Sequence, residues 1–328
     1  YYSSPFSRWQ GTLANENSIT LGAATAKRWI EGKSWDPKII DYTYLGISVH
    51  QPHAFYGGPW SAALTGAEGV PGLLVSQACS TSTVAVYLAA VGVETGLYQT
   101  PFCLMTDRCS NGPHSVWPNP MGPGGQVTSE DWVMDNFNKD PWAGEAMIKT
   151  AENVAAEAGI TREQCDAVAL RRYEQYLDAL ADDRAFQKRY MFPVEVKVSR
   201  KKTFMFDADE GVMETTAEGL AKLRPVLPDG VHTFGTQTHP ADGSCGITVT
   251  TKDKAKELSA DPDIEIQVVS YGFARAKKAF IAAALYPSVK MALDNASIGI
   301  NDVKAIKTHN PFAANDIHLA NNFNIDVN

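Results

Sequence analysis

A cysteine that follows a short apolar segment is the strongest candidate for chemistry in this sequence. The segment Gly72-Leu-Leu-Val-Ser-Gln-Ala-Cys79 runs into Ser80-Thr-Ser-Thr83 and then into the most apolar stretch of the chain, residues 84–93. A cysteine at such a strand-to-helix junction has a helix N-terminus beneath it, whose dipole and free N–H groups favour the thiolate over the thiol. Cys79 is therefore a candidate nucleophile, and the alternative is a small buried cysteine that fills core space.

A histidine beside an asparagine is the second candidate. The segment Thr308-His-Asn-Pro-Phe-Ala-Ala314 comes directly after residues 302–308, which we predict to be a strand. A His-Asn pair in such a loop could hydrogen-bond to a developing oxyanion or relay a proton. This pattern alone leaves open whether His309 is functional or is a solvated or structural loop histidine.

Other groups of polar residues carry weaker signals. The pair His50 and His53 and the pair Cys103 and Cys109 lack the context of a metal site, and we expect no metal to be bound. The basic cluster Arg200-Lys-Lys202 could meet phosphates, although a solvated face is the alternative.

Short β-rich segments alternate with longer helical patterns along the chain, which is typical of a layered α/β fold. The predicted strands are residues 39–49, 72–78, 101–105, 192–198, 264–271 and 302–308, together with two strands in 231–251 joined by a turn at 240–243. The predicted helices are residues 15–31, 84–93, 144–157, 161 to about 183, 215–224 and 286–294.

Particular residues mark some of the element boundaries. Gly159 is a C-cap signal, and Thr161-Arg-Glu-Gln164 has the form of a capping box. Residues 111–140 contain many prolines and glycines and predict a long irregular excursion. In a compact protein such a stretch is usually functional or covers a site.

Composition and charge exclude several classes of protein. The chain has 328 residues, 44% of them hydrophobic and 20% charged, which excludes a disordered or fibrous protein. The formal net charge of −8 argues against nucleic acid and anionic membranes as partners. The longest apolar stretch, residues 84–93, is about half of the ~20 residues that a membrane helix needs. We interpret it as a buried core helix.

The cysteines are too few and too scattered for a disulfide framework, and they point to a reducing compartment. We therefore expect a cytoplasmic protein. The five are Cys79, Cys103, Cys109, Cys165 and Cys245.

Four segments in the correct order resemble the thiolase family, and the resemblance covers nearly the whole chain. The segment around Cys79 looks like the family's nucleophile segment. Lys149-Thr-Ala-Glu-Asn-Val-Ala155 and Ile160-Thr-Arg-Glu-Gln-Cys-Asp-Ala-Val-Ala-Leu170 are similar to the loop-domain signature, T-A-E-N-V-A and then I-S-R-E-x-Q-D-x-F-A-L. Thr215-Thr-Ala-Glu-Gly-Leu-Ala-Lys-Leu-Arg-Pro225 is similar to T-T-x-E-x-L-A-K-L-x-P.

The chain departs from the family at two motifs beside the expected acyl pocket. The family's G-N-A-S-G-x-N-D-G-A is here Gly235-Thr-Gln-Thr-His-Pro-Ala-Asp-Gly-Ser244, so that Thr238 replaces the serine that contacts the pantetheine arm and His239 replaces a glycine. The family's N-E-A-F-A is here His309-Asn-Pro-Phe-Ala313, which is closer to the H-D-C-F form of sterol-carrier-type thiolases. These changes predict an unusual substrate, such as one with a bulky or aromatic acyl group.

The resemblance implies a thiolase-like α/β fold with five layers, αβαβα, built from two pseudo-symmetric halves and an inserted loop domain. The expected boundaries are residues 1–113 for the N-terminal half, completed by 231–252, then 114–230 for the loop domain that covers the active site, and 253–328 for an incomplete C-terminal half. The chain stops before the Gly-His-Pro and Cys-x-Gly segments in which thiolases carry a catalytic histidine and a second cysteine. We therefore expect the sequence to be a piece of a longer protein.

The implied reaction is thiolytic cleavage of a 3-oxoacyl-CoA, or the reverse Claisen condensation. Cys79 would carry the acyl group as a thioester, His309 would hold the substrate oxygen, and Thr238 and His239 would contact substrate. No metal or redox cofactor is implied, since CoA is a substrate. Members are typically homodimers or dimers of dimers.

Two other functions stay open beside this one. The first is a ketoacyl-synthase-type condensing enzyme that uses the same cysteine, although the loop-domain signature favours a thiolase. The second is a subunit that binds CoA esters without full turnover in a hetero-oligomer, for example beside a small zinc-ribbon partner.

Overall fold

The computed structural model of the protein describes residues 1–327. The strands are β1 (Tyr2–Ser3), β2 (Ser7–Arg8), β3 (Tyr42–Gly46), β4 (Gly72–Val75), β5 (Pro101–Asp107), β6 (His114–Pro118), β7 (Val127–Asp131), β8 (Val194–Ser199), β9 (Lys202–Phe206) and β10 (Ala241–Thr248). The α-helices are α1 (Ser18–Gly32), α2 (Gly57–Thr65), α3 (Thr81–Glu94), α4 (Met134–Asn138), α5 (Met147–Ala158), α6 (Arg162–Ala179), α7 (Ala181–Lys188), α8 (Ala217–Ala221), α9 (Lys252–Leu258), α10 (Leu285–Ala296) and α11 (Ala313–Phe323).

The chain divides into two compact units. The first contains residues 1–132, 185–212 and 240–268, and the second contains residues 133–184, 213–239 and 269 onwards. Every strand named above belongs to the first unit.

A six-stranded mixed sheet forms the centre of the first unit. Its strands run in the order β1-β10-β5-β3-β4, and β2 pairs with β10. Strand β3 is parallel to β4 and β5, and β10 is antiparallel to β5. Parallel strands end at the same edge of a sheet, so the segments that follow β3, β4 and β5 leave from one side.

Helices cover both faces of this sheet, because successive side chains of a strand point to opposite faces. On β5, Phe102 and Leu104 pack in one hydrophobic cluster with residues of α1. Cys103 and Met105 pack in another with Ala85 and Ala89 of α3. A strand covered on both faces is apolar along its whole length, which explains the continuous run in β5.

Helix α3 corrects the interpretation of residues 84–93 as a buried core helix. The helix forms, but only a stripe that includes Ala85, Ala89 and Gly92 is buried against the sheet. Val84 and Leu88 are only half-buried, although they pack against the same cluster, and the other valines of the helix are half-buried as well. A helix that is apolar all round normally has every side covered. In the first unit the sheet covers one side of α3.

The structure also corrects the prediction of an irregular excursion at residues 111–140. Strands β6 and β7 pair antiparallel from His114↔Asp131 to Pro118↔Val127. The prolines and glycines concentrate in the connection between the two strands, so they mark a long turn and not the absence of structure. The Trp132 indole N–H donates to the Ser48 carbonyl oxygen at 2.9 Å and anchors the end of this ribbon. A second ribbon, β8–β9, extends the predicted strand at 192–198.

The second unit is helical, and its helix boundaries follow the sequence signals. Gly159 ends α5 in the left-handed region with φ 64°, and the Thr161–Gln164 capping box is present at the start of α6. The core of this unit joins α5, α6 and α11 through apolar side chains that include Ala155, Cys165 and Ile317.

Three predicted strands are wrong. Residues 231–240 form no strand, and 264–271 and 303–308 are not paired either. Ile264 and Ile266 alternate as in a strand, but they are 63% and 75% exposed. An apolar alternation becomes a strand only where another segment pairs with it, and among residues 1–327 no segment pairs with 264–271. Helix α10 forms where it was predicted.

Candidate active site

Cys79 lies on a sharp turn between β4 and α3. After β4 ends at Val75, Gln77 has φ −144° and ψ 47°, and Ala78 has φ 45°. Cys79 then sits in a single 3₁₀ turn, and α3 begins at Thr81. A positive φ is unfavourable for alanine and persists only where surrounding contacts hold it. The predicted strand-to-helix junction is present, with strain stored one residue before the thiol.

Thr81 supplies the contacts that hold this turn. Its hydroxyl accepts a hydrogen bond from the Gln77 N–H at 2.8 Å and donates to the Ala78 carbonyl oxygen at 2.7 Å. The Ser80 hydroxyl donates to the Gln77 carbonyl oxygen at 3.0 Å. The hydroxyl residues after Cys79 therefore close the turn on itself, a role that their side-chain chemistry explains and that sequence reasoning missed.

The Cys79 thiol is exposed, but its ionisation differs from the prediction. Desolvation by the surrounding protein raises the pKa of Cys79 above its ordinary value, and the nearby Asp107 carboxylate raises it further. The backbone N–H of Cys79 lowers the pKa, but by less than desolvation raises it. The expected depressed pKa is therefore wrong, because desolvation outweighs what the start of the helix supplies and the Asp107 carboxylate adds to the increase.

Asp107, at the carboxyl end of β5, is a polar residue of this region that the sequence reading overlooked. It accepts hydrogen bonds from the Ser48 hydroxyl at 2.6 Å and from the Val49 N–H at 2.8 Å. Burial raises the pKa of Asp107, and the Asp242 carboxylate adds to the increase. Burial, Asp107 and Asp242 together raise the pKa of Cys109 to about 12. An acidic residue at the end of a buried strand was the signal that could have identified it.

His309 lies in the second unit, on the loop before α11, and its side chain is exposed. Desolvation by neighbouring segments lowers the pKa of His309 below its ordinary value. The imidazole is therefore neutral at pH 7 and presents one N–H donor and one acceptor nitrogen.

Thr238 lies beside the His309 loop within the second unit, whereas Cys79 belongs to the first unit. The Thr238 N–H donates to the Pro311 carbonyl oxygen at 2.7 Å, and Gln237 forms an isolated antiparallel bridge with Phe312. The two departures from the family pattern therefore meet in space. The Thr238 side chain itself is exposed.

His239 packs on an aromatic ring and is not a free polar group. Its imidazole lies parallel to the Phe234 ring, with 6.3 Å between centroids and 10° between planes. Its Nε2 is 3.1 Å from the Phe234 carbonyl oxygen. The two rings form an exposed aromatic pair next to Thr238.

A buried histidine supports the start of α11, and sequence reasoning missed it. His232 is fully buried, its Nδ1 lies 3.1 Å from Glu152 Oε1, and its Nε2 accepts a hydrogen bond from the Ala314 N–H at 3.3 Å. Burial alone would raise the pKa of Glu152, but hydrogen bonds from His232 and from the backbone of Val231 and His232 outweigh it and lower this pKa. The contact fixes the segment that follows the His309 loop.

Neither a metal site nor a membrane span emerges from residues 1–327. No group of three or more histidine, cysteine or acidic side chains in this part of the chain could hold a metal ion. None of the helices described is long and apolar enough to cross a membrane.

Comparison with known proteins shows what the chain is similar to. Residues 2–253 match the model of the thiolase N-terminal domain. The acetyl-CoA acetyltransferase of Escherichia coli is 29% identical over 97% of this chain and 81% of that protein. The 3-ketoacyl-CoA thiolase of Bacillus subtilis is 27% identical over 97% of this chain and 80% of its own length.

Solved structures agree on the fold. The crystal structure of the Bacillus anthracis acetyl-CoA acetyltransferase matches 99% of this chain and 82% of that one, with a TM-score of 0.89 at 23% identity. Human mitochondrial 3-ketoacyl-CoA thiolase in complex with CoA matches 99% of this chain and 82% of that one, with a TM-score of 0.88 at 22% identity. The expected thiolase-like α/β fold is confirmed, and the chain belongs to the thiolase family of acyltransferases.

Proposed function

We propose that the protein is an acyl-CoA C-acyltransferase that cleaves a 3-oxoacyl-CoA with CoA, or runs the reverse Claisen condensation, through a thioester on Cys79. The observation that carries this proposal is the exposed thiol on a strained strand-to-helix turn in a thiolase-family chain. The names of the relatives, acetyl-CoA acetyltransferase and 3-ketoacyl-CoA thiolase, supply the substrate class.

The reaction begins with Cys79 as the attacking group. Its sulfur adds to the 3-keto carbon, the bond between C2 and C3 breaks, and the electron pair stays on C2 as the enolate of acetyl-CoA, which then takes a proton. The acyl group remains on Sγ until the thiolate of CoA attacks it and releases the shortened acyl-CoA. CoA is thus a substrate, and no metal or redox cofactor takes part.

The raised pKa of Cys79 makes a base necessary. At pH 7 the sulfur is mainly a thiol, so its proton must be removed as it attacks. The family resemblance assigns that step to the histidine of a Gly-His-Pro segment, and the activation of CoA to the cysteine of a Cys-x-Gly segment. Neither motif occurs in this sequence.

His309 acts in this proposal as the donor to the substrate oxygen. Its pKa is lowered, so the imidazole is neutral and can present one N–H to the oxygen of the thioester-bound substrate or of its enolate. This N–H would stabilise the negative charge that develops on that oxygen.

The residues at 238–240 favour a bulky or aromatic acyl group over a short straight one. His239 stands where the family pattern has a glycine, its ring lies parallel to the Phe234 ring, and Pro240 stiffens the same loop. Thr238, which replaces a serine, adds a methyl group to the pantetheine contact.

We also propose that the chain works as a homodimer or a dimer of dimers. The resemblance to the thiolase family supports this proposal, since its members are typically homodimers or dimers of dimers.

A CoA-ester-binding subunit without turnover is the second candidate function, and one observation favours it. The raised pKa of Cys79 is poorly suited to a nucleophile unless another group takes its proton. In that case the protein would bind the ester in a hetero-oligomer, for example beside a small zinc-ribbon partner, without full turnover.

Peptide mapping after a single half-reaction separates the two functions. Full-length protein incubated with acetoacetyl-CoA, without free CoA, should gain one acetyl group on Cys79. Cys79→Ser should lower thiolysis on the order of 10⁴-fold or more, and Cys245→Ser, a control at a half-buried cysteine of β10, should not. Tight binding of the ester with no acetyl group on any cysteine would establish the non-catalytic subunit instead.

A further inference from the structure

A buried carboxylate in the second unit holds the residues on either side of His309. Asp316 lies in the first turn of α11 and is 3% exposed. Its Oδ1 accepts a hydrogen bond from the Thr308 hydroxyl, and its Oδ2 accepts one from the Asn310 side-chain amide at 3.2 Å. We propose that Asp316 is a positioning residue that fixes the loop carrying His309.

Arg172 makes this carboxylate stable in a buried position. Its Nη2 and Nε donate to Asp316 Oδ2 at 2.9 and 3.3 Å from helix α6. Its Nη1 donates to Gln175 Oε1 at 2.8 Å, which holds the guanidinium in place. A buried carboxylate is costly unless its charge is compensated and its lone pairs are used, and here both conditions are met. The carboxylate therefore forms a rigid point to which the loop can be attached.

Helix α11 has other anchors, so the loop contacts of Asp316 are not needed to hold the helix. The Ala314 N–H donates to His232, and the Phe312 N–H donates to Asn315 Oδ1 at 3.3 Å. Ala314 and Ile317 pack in the core of the second unit. Loss of the bonds to Thr308 and Asn310 should therefore release the loop and leave the helix in place.

The orientation of His309 depends on this attachment. The His309 ring is exposed. The residues that hydrogen-bond to Asp316 are Thr308 and Asn310, which precede and follow His309 in the sequence. The inference rests on the proposed role of His309 as a donor to the substrate oxygen. Displacement of a catalytic group by about 1 Å can cost about 10²-fold in rate, so a loop held at both sides of the histidine matters for turnover.

Thr308→Val tests the inference without disturbing the buried ion pair. The variant keeps the shape of threonine and removes the hydroxyl that bonds to Asp316. We expect kcat to fall about tenfold with little change in KM and a small decrease in melting temperature, because Asp316 Oδ1 loses its hydroxyl donor, and Thr308→Ser to restore kcat. In a His309→Ala background Thr308→Val should have no further effect on kcat, because both changes remove the same contribution.

Asp166→Asn is the matched control. Asp166 is a carboxylate of α6 that pairs with Arg162 of the same helix at 2.8 Å. Its kcat should equal that of the parent. The positioning role would be overturned if Thr308→Val had the kcat of the parent. It would also be overturned if Thr308→Val lowered kcat by the same factor in the His309→Ala background as in the parent. Either result leaves the proposed function of His309 standing. Parental activity in His309→Ala would overturn the proposed function of His309, and the positioning role with it.

Discussion

The turn that carries Cys79 and the loop that carries His309 are held in place in opposite ways. The contacts of the first are local: Thr81 and Ser80 bond to Gln77 and Ala78, three or four residues away. The second depends on partners from elsewhere in the chain, since Asp316 is fixed by Arg172, which is 144 residues distant in sequence. A local turn forms wherever its own residues allow it, whereas the loop exists only in the folded second unit.

This difference has a consequence for how each region tolerates change. A substitution in the Cys79 turn acts on a few neighbouring hydrogen bonds and on stored backbone strain. A substitution around His309 acts through packing between α6, α11 and the loop. We therefore expect variants of the loop to change turnover, and variants of the turn that keep the Cys79 thiol to change stability and thiol reactivity.

Among variants that keep the Cys79 thiol, the largest effect should come from His309→Ala. Removal of one oxyanion donor typically lowers turnover by about 10²–10³-fold, and we expect a loss of that order in thiolysis. The side chain is exposed, so the melting temperature should stay close to that of the parent. Steady-state kinetics with thermal unfolding of the same preparation measure both. A joint loss of stability and activity would mean that the histidine serves the fold.

The acyl preference should give the next largest effect. A mismatch of one methylene in an apolar pocket is worth about 1–3 kcal/mol, so we expect kcat/KM for a bulky 3-oxoacyl-CoA to exceed that for acetoacetyl-CoA by about 10–200-fold. His239→Gly should reduce this ratio, because it removes the ring that stacks on Phe234. If the parent cleaves acetoacetyl-CoA as efficiently as its best bulky substrate, the changes at 238–240 are neutral.

The elements that formed as predicted are those with local signals. The capping box at Thr161 and the C-cap at Gly159 depend on a few consecutive residues, and both are present. The junction at Cys79 belongs to the same class, because the apolar strand, the hydroxyl residues and the apolar helix follow each other directly.

The features that could not be predicted depend on residues far apart in sequence. The segment 264–271 starts with the apolar and polar alternation of a strand, but no local signal indicates whether another strand pairs with it. Glu152 meets His232 across 80 positions, and neither residue is distinctive alone. The pKa of Cys79 was predicted to shift in the wrong direction, because desolvation by the surrounding protein raises it, and Asp107, which comes from a different strand, adds to the increase.

The reactivity of Cys79 toward iodoacetamide should show directly whether its pKa is raised or lowered. Because its pKa is raised above the ordinary 9.0, the thiolate fraction should increase about tenfold for each pH unit between 7 and 9, with no plateau in that range. Cys79 should still be labelled first, since it is exposed and Cys103 and Cys165 are buried. Mass mapping after brief, limiting treatment at each pH measures both. A plateau near pH 7 would instead indicate a depressed pKa.

The smallest effect should come from Thr81→Val, which tests the local character of the Cys79 turn. The variant keeps the shape of the side chain but removes a hydroxyl that bonds to Gln77 and Ala78, so it should lower the free energy of unfolding by about 1 kcal/mol. Thr81→Ser keeps the hydroxyl and should lose less. Chemical denaturation of the three proteins measures the difference in the free energy of unfolding. A control at Thr83, whose exposed hydroxyl donates to the Ser80 carbonyl oxygen, shows how much stability is lost when any hydroxyl of this segment is removed. Equal stability of Thr81→Val and the parent would mean that the strained Ala78 conformation is held by packing against the sheet, in which case the Cys79 turn and the His309 loop differ less than their hydrogen bonds indicate.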